Sequence, residues 1–184
     1  MVLMSRGVLM SRLRSIRLVV SDTDGVLSRG ITLDEEGRKI QTFCEKDPTK
    51  ICAVRDAGVR FVMISGFDCG AARSRARHLG VYFHSRKELS ADGSDPLEFL
   101  ERTYGVSRNH ILYIGDDWQD LWWMRRVGVS AVPADAEEIC RLQANIVATR
   151  RGGEGAAADI LTTLLDAKGL LDPLLNDYIN DTPK

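Results

Sequence analysis

From Ile16 to Val20 the chain is nearly all apolar and β-branched, and the run ends in Ser21-Asp22-Thr23-Asp24-Gly25. Such a run suits a strand covered on both faces, the environment of a parallel sheet. Two carboxylates at the carboxyl end of a parallel strand lie where open α/β sheets place their ligands. A turn at Gly25 can bring one carboxylate and the next backbone carbonyl to a single cation. An Asp-Gly corner is also an ordinary polar turn, so the motif alone leaves both readings open.

The pattern recurs along the chain. Residues 60–65 form a second buried run, ending in Ser65-Gly66; residues 110–114 form a third, ending in Gly115-Asp116-Asp117-Trp118-Gln119-Asp120. Shorter strands are expected at 81–83, 127–132 and 146–148. Helical stretches are expected at 49–57, 70–79, 96–104, from Asp120 to 126, at 134–142 and from Gly152 to about 167. Two β-prone runs around Asp34-Glu35-Glu36-Gly37 predict a β-hairpin. The expected fold is α/β: a Rossmann-like parallel sheet with helices on both faces, a hairpin after the first strand and no large cap domain. Residues 1–14 read as a flexible leader, 15–168 as one domain and 169–184 as a partly extended tail. Residues 85–95 read as a polar loop.

The net charge of −1 gives no electrostatic case for nucleic acid. No apolar run reaches the length of a membrane span, and no secretory signal is recognisable, so a cytoplasmic location without a membrane partner is expected. Cys44, Cys52, Cys69 and Cys140 match no zinc spacing and read as small packed thiols. His78, His84 and His110 are scattered.

In a parallel sheet, the three strand ends that carry Asp22/Asp24, Ser65/Gly66 and Asp116/Asp117/Asp120 share one edge. Carboxylates converging there repel one another unless a cation sits among them. A donor set of oxygens alone suits Mg²⁺. Ser65, with the backbone N–H groups after it, suits a phosphate oxygen. Together these residues point to metal-assisted phosphoryl transfer.

The chain resembles the haloacid dehalogenase superfamily of phosphatases. The resemblance rests on Asp22-Thr23-Asp24-Gly25-Val26, on Ser65 after an apolar strand, and on Gly115-Asp116-x-x-x-Asp120, in that order. With only a hairpin between Gly25 and Ser65, it is most similar to the capless branch. That branch includes 3-deoxy-D-manno-octulosonate 8-phosphate phosphatases and the phosphatase-like domains of sialic-acid cytidylyltransferases. The resemblance implies that Asp22 attacks phosphorus to form an aspartyl-phosphate and that Asp24 serves as general acid and base. It implies Mg²⁺ held by Asp22, the Asp24 carbonyl and Asp116, supported by Asp117 or Asp120. It also implies Ser65 and Gly66 on the phosphoryl oxygens, a small phosphate ester as substrate, and a homotetramer.

Several positions depart from that pattern. The branch places a lysine before the Gly-Asp strand; here Lys87 is the nearest candidate and Arg86 the fallback. Where the branch carries arginine, this chain has Phe67 and Glu154, which argues against a sugar-acid substrate such as the octulosonate. Lys46-Asp47-Pro48 is a further change at the rim, with Lys46 placed to meet an anion. Trp118 is the expected aromatic wall, with Trp122 or Trp123 in the core. The same departures leave open a non-catalytic reading, an oligomerisation or regulatory module.

Overall fold

The computed structural model describes residues 5–66, 70–91 and 93–180. Six parallel strands form the central sheet: β1 (Leu18–Asp22), β4 (Arg60–Ser65), β5 (Tyr82–Ser85), β6 (Ile111–Ile114), β7 (Val129–Val132) and β8 (Ile146–Val147). Their order is β5-β4-β1-β6-β7-β8. The chain winds outward from β1 through β4 to β5, then returns to β1's other side with β6. The reversal leaves a crevice beyond the carboxyl ends of β1 and β6, where such sheets bind ligands.

The alternation along β1 sends its side chains to two cores. Val19 packs with Phe61, Met63, Leu112 and Ile114 beneath α2 (Asp47–Asp56), α3 (Gly70–Leu79) and α8 (Ala156–Ala167). Leu18 and Val20 pack on the opposite face beneath α5 (Pro96–Tyr104), α6 (Leu121–Met124) and α7 (Glu138–Gln143). With both faces covered, β1 is buried at every position, which is why its sequence lacks the polar alternation of a half-exposed strand.

The hairpin pairs β2 (Ser28–Leu33) with β3 (Lys39–Phe43), with Ile31 opposite Gln41. Asp34 closes its turn by accepting the backbone N–H groups of Glu36 and Arg38. That register places Gln41 within reach of Asp24.

Three expectations need correction. The stretch read as a leader contains a helix, α1 (Arg6–Ser15), whose Leu13 is fully buried in the core beside α8. Arg14 Nε also donates to the Ala167 carbonyl at 3.0 Å. The tail contains α9 (Leu171–Asn180): Pro173 sits in its first turn, where its missing N–H costs no hydrogen bond. The polar loop contains one helical turn, α4 (Arg86–Leu89), started by a reciprocal capping box between Ser85 and Glu88.

Candidate active site

Asp22 ends β1 and is 7% exposed. Thr23 then turns inward, and its Oγ1 donates to the Ile64 carbonyl at 2.7 Å. This bond ties the Asp22–Asp24 segment to β4. Asp24 is held from three sides. Its Oδ1 accepts from Gln41 Nε2 of the hairpin and from Ser28 Oγ, and its Oδ2 accepts from Ser65 Oγ at 3.1 Å. Gly25 follows at φ +83°; a Cβ there would lie 2.1 Å from Asp116 Oδ2. Glycine is therefore required both for the turn and for the approach of the second acidic strand end.

Asp22, Asp116 and Asp120 each offer an oxygen within 4.8 Å of the others. Their surroundings differ. Asp120 is fully buried and saturated. Its Oδ2 accepts the backbone N–H groups of Asp116 and Asp117 at 2.8 and 3.1 Å; its Oδ1 accepts Tyr113 Oη at 2.7 Å and an Arg86 guanidinium nitrogen at 2.6 Å. Its role in the structure is to shape the turn that presents Asp116. Asp116 is pushed up to about 7, first by burial and then by Asp120, Asp117 and Asp135 around it. Burial, with Asp120 adding to it, also holds Asp22 well above the usual carboxylate range, and Arg86 opposes both.

These carboxylates fit a hard divalent cation. The donors are all oxygen, and a cation placed among them would relieve the crowding of carboxylates that helps to raise Asp22 and Asp116. Asp117 is not drawn into the cluster. It caps the short 3-10 turn that follows, accepting the Trp118 N–H at 2.6 Å.

Among the described residues, the cation beside Asp22 is Arg86, not Lys87. One guanidinium nitrogen lies 3.3 Å from Asp22 Oδ1 and 2.6 Å from Asp120 Oδ1. Lys87 is exposed. The capping box sets this outcome: it starts α4 at Arg86, and adjacent helical residues point about 100° apart, so one of the pair faces in and the other out.

Ser65 is buried at the end of β4, and Gly66 is exposed just beyond it. Lys46 is exposed at the start of α2, close to Gly155. Trp118, expected as a wall, is 68% exposed and lines no part of the cavity beside the cluster. Trp123 is buried in the core, stacked on Tyr113. Phe67 lies outside the described residues.

Sequence reasoning missed Gln41, Asp135 and Arg151. Asp135 Oδ1 accepts the Gly152 N–H at 2.8 Å, and Oδ2 lies 3.2 Å from Arg151 Nε. The 151–155 segment then runs so close beneath the first turn that a Cβ on Gly152 would lie 1.7 Å from the Gly25 carbonyl oxygen. The sequence signal was the pair of short motifs, Ala134-Asp135-Ala136 and Gly152-Gly153-Glu154-Gly155, whose contact only the fold reveals.

No protein-family model matches the chain. The chain is 30% identical over 166 residues to the 3-deoxy-D-manno-octulosonate 8-phosphate phosphatase KdsC of Escherichia coli, covering 89% of this chain and 86% of that protein. The crystal structure of the corresponding phosphatase from Moraxella catarrhalis, in complex with magnesium, phosphate and KDO, superposes with a TM-score of 0.86 at 26% identity. That match covers 95% of this chain and 99% of the other. The cobalt-bound form of the Haemophilus influenzae enzyme matches with a TM-score of 0.80 at 29% identity, covering 93% and 96% of the two chains.

Proposed function

Since the chain belongs to the haloacid dehalogenase phosphatases related to KdsC, we propose that it hydrolyses a small phosphorylated sugar or related metabolite with Mg²⁺, through an aspartyl-phosphate at Asp22. The observation that carries this reading is the meeting of Asp22, Asp116 and Arg86 at the crevice of the sheet. Mg²⁺ would be held by Asp22, the Asp24 carbonyl and Asp116; when bound it supplies charge neutralisation for the phosphoryl group. A relative bound to magnesium and another bound to cobalt support a divalent ion of this kind.

The chain's own residues then divide the work. Asp22 is the nucleophile. Asp24, aimed by Gln41, Ser28 and Ser65, gives a proton to the leaving alcohol and takes one from the attacking water. The Gly66 N–H and the Ser65 hydroxyl, turned from Asp24 to the substrate, receive phosphoryl oxygens, and Lys46 stands at the rim to draw in the phosphate of the ester. Arg86 takes the place foreseen for Lys87, offsetting the charge of the Asp22 carboxylate and of the phosphoryl group it would carry. Its presence removes the main ground for a non-catalytic module.

A homotetramer is supported by apolar side chains left exposed on the hairpin, Leu33 and Ile40, and on α9, Leu175, Tyr178 and Ile179. Cys44, Cys52 and Cys140 are free thiols, which suits a reducing, cytoplasmic compartment. Among the described residues, no helix is long and apolar enough to cross a membrane.

The test is phosphate release with and without Mg²⁺ from a panel of phosphate esters that includes p-nitrophenyl phosphate, with Asp22→Asn as the blank. Metal-dependent release that disappears in the variant is expected. Release that survives in the variant, or no release from any ester by folded protein, would overturn the reading.

A further inference from the structure

A cavity of about 440 Å³ opens beside Asp116, walled by Gly25 and Gly152 and by the side chains of Arg29, Asp135, Arg151 and Glu154. None of these residues is apolar. Beyond Asp116, the charged groups are two arginines and two carboxylates, and they are already matched. Arg29 lies 3.0 Å from Glu154, and Arg151 lies 3.2 Å from Asp135. Asp135 is further fixed by the Gly152 N–H.

We infer that this cavity takes the leaving group of the substrate and that this group is an uncharged polyol: the ester is the monophosphate of a neutral sugar or alditol. The inference rests on the phosphatase reading above, since Asp116 is what joins the cavity to the reacting phosphate. Two features carry it. A wall of charged groups and backbone presents donors and acceptors side by side, the pattern that pairs with vicinal hydroxyls, and offers little apolar surface for a base or a lipid. The two arginines are each neutralised in place. A substrate carboxylate or second phosphate would have to displace Glu154 or sit beside it, and like charges set together are what a binding site uses to reject a ligand. Arg29 and Glu154 are therefore specificity-determining residues. Glu154 excludes acids, and Arg29 would accept them if Glu154 were removed.

The probes are glucose 6-phosphate and 6-phosphogluconate, which share a carbon skeleton and differ by a carboxylate at C1. Turnover is measured on the wild-type protein with Mg²⁺, and binding is measured by calorimetry on Asp22→Asn, so that discrimination is read without catalysis. The neutral ester is expected to be favoured by about tenfold or more in both measurements. Glu154→Gln is expected to narrow that ratio several-fold, and Arg29→Gln to widen it. Equal or better handling of 6-phosphogluconate by a wild-type protein that hydrolyses p-nitrophenyl phosphate would overturn this inference alone. So would a ratio that neither variant moves. No hydrolysis of p-nitrophenyl phosphate or of either sugar phosphate by folded protein would overturn the phosphatase reading, and this inference with it.

Discussion

The floor of the site and its rim are built from the same pair of residue types. On the floor, Arg86 meets Asp22 and Asp120; at the rim, Arg29 meets Glu154 and Arg151 meets Asp135. The settings differ. The Arg86 side chain is 21% exposed and its Asp120 partner 1%, whereas Arg29 and Arg151 are each 67% exposed. Away from water, a pair of this kind is held in one geometry, and losing one partner strands a buried charge. In water the same pair contributes little to stability. On the function proposed above, one chemistry serves two ends: the buried pair fixes the reacting groups, and the exposed pairs set what is admitted beside them.

The sharpest way to break this contrast is at the floor. Asp22→Asn is expected to lower kcat by on the order of a thousandfold or more. The melting temperature should stay level or rise, because burial makes the Asp22 charge costly to the folded protein. A matching fall in stability would mean that Asp22 holds the fold rather than the chemistry.

Arg86→Ala should come next. It removes the cation beside Asp22 and leaves buried Asp120 without its guanidinium, so kcat should drop by about 100-fold and stability by about 3 kcal/mol in denaturant melts. Lys87→Ala, one residue along, should change stability by less than about 0.5 kcal/mol. Equal effects at the two positions would erase the distinction drawn here between them.

Asp47 separates burial from pairing. It is 3% exposed, its Oδ1 accepts the Ala158 N–H at 2.9 Å, and its Oδ2 has no partner among the described residues. Burial pushes it up to about 6, against 3.8 for a free carboxyl. Below the lower value both folded and unfolded chains hold the proton; above the upper value both have lost it, and the folded state carries a buried charge. The stability Asp47 contributes is therefore greatest in acid and is lost as pH rises through about 6. Asp47→Asn keeps an acceptor for Ala158 and abolishes the titration. Its stability relative to the wild type should rise by up to about 3 kcal/mol across that window, read by urea melts at several pH values. A difference independent of pH would contradict the assignment.

The smallest effect is expected at the rim. Arg151→Ala should cost less than about 0.5 kcal/mol. A larger loss in a denaturant melt would make the rim a structural element and weaken its assignment to specificity.

The parts of the molecule that were legible in the sequence share a physical cause. β1, β4 and β6 are buried on both faces, so their apolar runs stand out, and the acidic or hydroxyl residues that end them are the ones the crevice gathers. Helix α1 was hidden because it buries only Leu13 and carries arginines on its other faces. Helix α9 was hidden by Pro173, which reads as a breaker unless it falls in a first turn. The choice between Arg86 and Lys87 was open to inspection: Ser85-x-x-Glu88 is a capping box and sets where the helical turn begins, which decides the residue that faces inward. Gln41 gave no such signal, and the short motif around Asp135 gave none of its partner. Each acts on residues distant in the sequence, Asp24 and Gly152, and only the hairpin register and the sheet order bring them there.

The central claim is that the floor performs covalent phosphoryl transfer at Asp22. Its most direct test is to quench the protein in acid during turnover of p-nitrophenyl phosphate with Mg²⁺, reduce it with borohydride, and sequence the peptide carrying Ile16 to Asp24 by mass spectrometry. An acyl phosphate on Asp22 would be reduced to homoserine at that position, and Asp22→Asn would show none; this is the predicted result. Turnover with Asp22 unmodified, or with the homoserine at Asp24 or Asp116 instead, would contradict the account.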